Sequence, residues 1–159
     1  MTIPEGQGAG RDGPVPDFIG AKAAFFLGTR LLCYLRDDFP GLIWRNHWDL
    51  PGGGREGDET PEACLLRELH EEFGLSLPAA RLERRLVLPS SDFPGRVSIF
   101  YAGRISAAEV AALRFGSEGQ RWEMMEVDEF LARGDAVPWL QDRVRLVWPG
   151  FQPANQPAR

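Results

Sequence analysis

Apolar positions along the 159-residue chain fall in short blocks of two different periods, separated by glycine and proline. Residues 21–27 and 31–36 are apolar runs on either side of Gly28-Thr29, the pattern of a β-hairpin. A loop with Pro40 and Gly41 follows, then a short extended piece at 48–50, ended by Pro51 and the run Gly52-Gly53-Gly54. Residues 60–73 switch to a helical period. Thr60 is the predicted N-cap, Pro61 the first helical position, Glu62 a first-turn acid and Gly74 the stop. Residues 82–88 and 96–104 read as two strands joined by a turn at 89–95. A helical turn is expected at 107–113, a strand at 120–127 and a short helix at 128–132. Residues 138–147 predict a closing amphipathic helix on the pattern Trp139, Val144, Leu146, Val147. Interleaved strands and helices predict an α/β (α+β) class with a central mixed sheet.

The two ends differ from this body. Residues 1–17 and 149–159 are rich in Gly, Pro and polar residues and cannot bury enough apolar surface to fold alone. They are expected to be a flexible N-terminal arm and C-terminal tail, or segments that pack on a second copy in a homodimer. Residues 18–148 form the predicted domain. No internal repeat is visible.

Composition narrows the function classes. A hydrophobic fraction of 43% and a charged fraction of 26% are ordinary for a folded domain, and the net charge of -5 argues against a nucleic-acid backbone or an anionic membrane as partner. An acidic protein that handles phosphate needs a cation or a local basic pocket. Lys22 is the only lysine. Cys33 and Cys64 lie in apolar runs without metal-type spacing, and both are expected to be small buried hydrophobes. With no signal-peptide pattern and no membrane-spanning stretch, the cytoplasm is the expected compartment.

The chemistry concentrates in Arg67-Glu68-Leu69-His70-Glu71-Glu72-Phe73-Gly74-Leu75. On a helical wheel Glu68, Glu71 and Glu72 share about 100° of one face. Leu65, Leu66, Leu69 and Phe73 form the adjoining stripe, and Arg67 and His70 fall outside the acidic cluster. No Lys or Arg follows the acids at helical spacing. At an effective dielectric of about 20, each like-charge pair costs on the order of 3 kcal/mol. A solvated acidic face is the plain reading. A divalent cation such as Mg²⁺, with Mn²⁺ as a substitute, would turn that repulsion into attraction. The preceding stretch, Leu50-Pro51-Gly52-Gly53-Gly54-Arg55-Glu56-Gly57-Asp58-Glu59, lacks the Gly-Lys-Ser/Thr of a P-loop. It is expected to shape a turn and to offer backbone carbonyls to metal.

Gly53, Glu59, Arg67-Glu68-Leu69, Glu71-Glu72 and Gly74-Leu75, at these spacings, resemble the Nudix box at every defined position. The hairpin before it, the strands after it and the final helix are also similar to Nudix hydrolases, the bacterial MutT-like pyrophosphohydrolases in particular. The resemblance implies an α/β/α sandwich and hydrolysis of a nucleoside diphosphate linked to another moiety, such as an NTP or dNTP, a nucleotide sugar or an ADP-ribose-like compound. It implies that Glu71 and Glu72 are principal metal ligands. Glu68 would be a further ligand or the general base, and the Gly52 carbonyl would complete the metal shell. Glu59 and Arg67 would be a structural pair that orients loop and helix; simple i,i+4 pairing of Arg67 with Glu71 is the plain alternative, and both can hold. Gly53 and Gly74 would be structural glycines of the box. Ser117-Glu118-Gly119-Gln120 looks like the Glu-Gly-Gln loop of oxidised-nucleotide-cleaving members. That makes Glu118 a candidate base or ligand, with Glu123 and Glu126 as competitors.

Substrate choice lies outside the box. Arg36 ends a strand beside the expected cleft, where it reaches a phosphate or merely pairs with Asp38. Trp44, Arg45 and His47 are candidate substrate contacts, with core packing the alternative for the tryptophan. Phe93 and Phe100 are candidate cleft residues. The motif that follows the box in NADH-cleaving members is absent, as is the tyrosine of dinucleoside-polyphosphate members. Pro89 lies near the proline associated with ADP-ribose cleavage. Two other classes compete: a Nudix-fold module that senses a nucleotide without cleaving it, and a domain acting on capped RNA. The intact acids disfavour the first and the negative charge disfavours the second.

Overall fold

The first strand, β1 (Gly20–Leu27), turns through Gly28 and Thr29 into β2 (Arg30–Leu35), as the apolar blocks predict. Gly28 takes φ +58°, the left-handed conformation that a tight hairpin needs. The computed structural model describes residues 15–154. Residues 1–14 of the expected arm and 155–159 of the expected tail lie outside the described residues. Of the expected tail, Phe151 is nevertheless buried, its ring 5.1 Å from that of Phe26. The core reaches past residue 148 because one aromatic outweighs the polar segment around it.

The remaining elements are β3 (Trp48–Asp49), β4 (Gly52–Gly54), α1 (Pro61–Phe73), β5 (Arg84–Pro89), β6 (Val97–Arg104), α2 (Ala107–Ala111), β7 (Arg121–Glu126), α3 (Val127–Ala132) and α4 (Pro138–Val147). The sheet runs β3-β2-β1-β6-β5, with β4 paired to β1 and β7 to β2. β1 and β6 are parallel and the other pairs antiparallel, so the sheet is mixed as expected. β4 is a strand where the sequence predicts only a loop. Its glycines supply no side-chain pattern to read, and they pair through backbone alone.

Alternation along β1 serves two cores. Ala21, Ala23 and Phe25 pack with Cys64, Leu65, Leu69 and Phe73 of α1. Ala24 and Phe26 pack on the other side with Leu140, Val144 and Val147 of α4. The sheet thus lies between two helical layers. Both cysteines are buried and unpaired by disulfide. Helix α1 begins and ends as its sequence dictates: the Thr60 side chain accepts from Ala63 N–H, and Gly74 takes φ 66° while donating to the His70 carbonyl. Helix α4 differs from its predicted face. Leu146 is exposed, whereas Gln141 and Arg143 are buried. Among the described residues, no helix is long and apolar enough to cross a membrane.

One feature of the sheet makes room for a site. β2 pairs with β1 only at Phe26↔Leu31 and Leu27↔Arg30, then diverges to pair with β3 at Tyr34↔Asp49. The first half of β1 is left free and pairs with β4 at Gly20↔Gly54 through Lys22↔Gly52. Lys22, Tyr34 and Asp49 come together where the sheet divides.

Candidate active site

Asp49 is the hub of that division. It is 3% exposed, and its carboxylate accepts from Lys22 Nζ at 2.9 and 3.0 Å, Arg36 Nη1 at 2.9 Å and the Tyr34 hydroxyl at 3.1 Å. Burial alone would raise its pKa. Lys22 and Arg36 override that and hold it below the ordinary carboxylate value. Arg36 therefore pairs with Asp49 rather than Asp38, which instead faces Arg45 at 3.5 Å. The network fixes two cations on one wall of a cleft of about 620 Å³.

The same cleft carries acids. Glu68 and Glu72 line the cleft with Gly52, Gly53 and Gly54. Glu72 is buried, with its Oε1 accepting from Gly52 N–H at 2.8 Å. Burial pushes its pKa up to about 8, Lys22 and the Gly52 N–H opposing, and burial raises that of Glu68 as well. A Cβ on Gly53 would lie 2.7 Å from the Glu68 Cδ, so a side chain there would displace the Glu68 carboxylate.

Arg67 stands inside the acidic cluster, contrary to its place on the helical wheel. A wheel places Cβ atoms, and a guanidinium reaches well beyond its own. Its Nε and Nη2 grip both oxygens of Glu59 at 2.8 and 3.0 Å, and Nη2 also donates to the Gly54 carbonyl at 2.9 Å. Its Nη1 bridges Glu68 at 3.0 Å and Glu71 at 3.2 Å. Pairing with Glu59 and pairing with Glu71 thus coexist. These bonds hold Glu59 below the ordinary carboxylate pKa. Glu71 is exposed, and among the described residues no three His, Cys, Asp or Glu side chains converge on one point.

Other candidates divide between cleft and surface. Glu118 lines the cleft, its loop tied down by Gly119 N–H to Asp37 at 3.1 Å and by Gln120 to the Arg36 carbonyl at 2.8 Å. Glu126 instead bonds Thr29 and Arg30 at the surface, and Glu123 is exposed on β7. Trp44, Arg45 and His47 do not line the cleft. Trp44 packs on the core with its indole N–H 3.4 Å from Asp92, Arg45 is exposed, and a His47 ring nitrogen contacts the Arg45 carbonyl. Phe93 lines the cleft and is exposed, whereas Phe100 is fully buried. Sequence reasoning missed Lys22 and Arg143 as cleft-lining residues and Asp49 as the acid that pairs Lys22 and Arg36. A charged side chain inside an apolar strand or on the apolar face of a helix was the available signal in each.

A mixed sheet between helices, with an acid-bearing helix anchored to a glycine strand, defines a Nudix-type protein. The NUDIX domain family model matches residues 23–146, and the chain belongs to that family. It is 47% identical over 49 residues to an 8-oxo-dGTP diphosphatase of Proteus vulgaris, covering 31% of this chain and 41% of that protein. It is 30% identical over 101 residues to a prenyl-diphosphate phosphatase of Methanosarcina mazei, covering 62% and 58%. The chain thus spans about half the length of these curated relatives. The crystal structure of a MutT protein from Methanosarcina mazei shares the fold at a TM-score of 0.64 and 16% identity, covering 86% of this chain and 96% of that one.

Proposed function

We propose that this chain is a Mg²⁺-dependent pyrophosphohydrolase. Its substrate would be a nucleoside diphosphate linked to another moiety: an NTP or dNTP, a nucleotide sugar or an ADP-ribose-like compound. The observation that carries this reading is the cleft itself, lined by Glu68 and Glu72 together with Lys22 and Arg36. Burying Glu72 with one N–H donor is costly, and two cations share the single carboxylate of Asp49. A diphosphate with its counter-ion satisfies both.

The donor chemistry fits a hard divalent ion. Glu68 and Glu72 are carboxylates whose charged forms are penalised by burial, and Glu71 lies on the same helix, held by a single Arg67 N–H. These three acids would hold the ion, with the Gly52 carbonyl as a further donor and Glu118 as an additional candidate. Such an ion neutralises phosphate oxygens and acidifies water. The chain's own residues do the rest. Lys22 and Arg36 attract and orient the diphosphate, and Asp49 keeps both cations aimed. Glu68 or Glu118 takes the proton from the attacking water. Arg67 and Glu59 clamp the glycine strand against α1.

The relatives named above act, by their names, on 8-oxo-dGTP and on prenyl diphosphates, so the shared element is the diphosphate rather than the group attached to it. The test is a panel of NTPs, dNTPs, nucleotide sugars and ADP-ribose with Mg²⁺ or Mn²⁺, scored for monophosphate or pyrophosphate release. Comparable activity after Glu71→Gln would sink the metal role of Glu71. No turnover of any nucleotide by folded protein, with micromolar binding retained, would replace the enzyme with a sensing module.

A further inference from the structure

The wall of the cleft contributed by α4 takes no part in the arrangement of acids and cations. Trp139 and Arg143, one helical turn apart on α4, line it together with Ser98 of β6. Arg143 is 4% exposed, its guanidinium lies 4.5 Å over the Trp139 ring, and its Nη2 donates to the Pro89 carbonyl at 3.0 Å. Its Nη1, the Trp139 Nε1 and the Ser98 Oγ are all buried without a hydrogen-bond partner. Folded proteins leave few such atoms, and each normally has a cause. Three around one cleft point to a shared cause. Burial pushes the Arg143 pKa down to about 10, only the charge of Asp92 opposing, so folding has placed a guanidinium where its charge is poorly compensated.

The chemistry of the missing partner follows from the donors. An indole N–H and a guanidinium N–H only donate, and a serine hydroxyl adapts to either role. The partner must therefore be an acceptor. The same cleft is rimmed by Ile43 and Phe93, 56% and 59% exposed, which offer apolar surface to a ring.

We propose that Trp139 and Arg143 form a specificity subsite that reads an acceptor-only group on the moiety attached to the diphosphate. This rests on the pyrophosphohydrolase reading for the orientation of the substrate. Two sources present that chemistry: the keto edge of a nucleobase, and an additional phosphate. The donors are closed to solvent in the free protein, so reading them requires the cleft-lining residues 90–93 to shift when the ligand enters. A site built to donate discriminates strongly against a group that itself donates, because both sets of polar atoms are then left unpaired.

Matched nucleotides test this. ITP differs from ATP in carrying a keto group for an amino group, and adenosine 5′-tetraphosphate differs in one added phosphate. Affinities are read by competition against a fluorescent nucleoside triphosphate with Ca²⁺ in place of Mg²⁺, and kcat/KM with Mg²⁺. The wild type should favour ITP over ATP by about tenfold or more if the base is read, or the tetraphosphate by a like factor if phosphate is read. Trp139→Phe, which keeps the ring, and Arg143→Met should each bring that ratio close to one. Thermal melts confirm folding, and Trp139→Phe carries the test alone if Arg143→Met does not fold. Ratios within twofold for both pairs in the wild type, or ratios unchanged in the variants, overturn the subsite. Absence of turnover with the binding ratios intact would remove the pyrophosphohydrolase reading and leave the subsite standing.

Discussion

Gly52 donates its backbone N–H to the buried Glu72 carboxylate at 2.8 Å, joining positions 20 residues apart. The bond locks α1 against β4 and sets where the acids sit. Gly52 does this at φ +125°, and a Cβ there would lie 2.1 Å from the Ala21 carbonyl oxygen. Gly52→Ala must therefore strain the backbone and push β4 from β1. The expected loss is about 2 kcal/mol or more, a fall in Tm of at least about 4 °C for a chain of this size. Thermal and urea melts measure it. Wild-type stability in the variant would show that the strand tolerates a side chain and that this geometry is not required.

Arg67 acts by shape as much as by charge. Its fork spans both Glu59 oxygens and still reaches the Gly54 carbonyl, which an ammonium cannot do. Arg67→Lys should lower kcat/KM by about tenfold or more, near 1.4 kcal/mol. Stability should change by less than about 1 kcal/mol, because pairs near solvent contribute little. Glu59→Gln should produce a similar loss, and the double variant should be no worse than either single one. Additive losses would mean that the two residues act separately.

The acid limb of stability should trace to Asp49. Its folded pKa lies below the unfolded value of about 3.9. Its contribution is therefore present above about pH 4 and is lost as pH falls through the lower folded pKa. Asp49→Asn should flatten that part of the stability-pH profile. At neutral pH it should cost about 3 kcal/mol or more by leaving Lys22 and Arg36 beside each other without a counter-charge. A variant whose acid limb matches the wild type would place the titration elsewhere.

Local signals carried most of the fold. Thr60, Pro61 and Gly74 bound α1 where capping chemistry puts them, and Gly28 closes the hairpin. What failed was information that exists only after folding. The strand Gly52–Gly54 has no side-chain pattern, so its pairing with β1 depends on β2 leaving that edge free. The box acids were legible because their spacing is contiguous. Lys22, Asp49 and Arg143 were not, since three distant segments assemble them and each reads singly as an ordinary charge. Trp44, Arg45 and His47 looked like substrate contacts because aromatic and basic residues cluster there in sequence. The left-handed turns at Trp44 and Asn46, φ 53° and 56°, fold that cluster onto its own backbone instead.

Glu72 should show opposite effects on stability and on activity. Burial raises its folded pKa to about 8, above an unfolded value of about 4.3. An acid shifted upward stabilises the fold while protonated, so the metal-free protein should lose stability as pH rises from about 4.3 towards 8. Glu72→Gln keeps an acceptor for the Gly52 N–H but carries no charge. Metal-free, at pH 8, it should melt at or above the wild-type temperature. Adding Mg²⁺ at 100 times its Kd should stabilise the wild type by about 2.7 kcal/mol, a gain the variant should lack, along with nearly all turnover. Chelator should return the wild type to its metal-free melting point. A metal-free variant less stable than the wild type would show the carboxylate to be a structural charge, and a full Mg²⁺ shift in the variant would remove Glu72 from the ion's ligands.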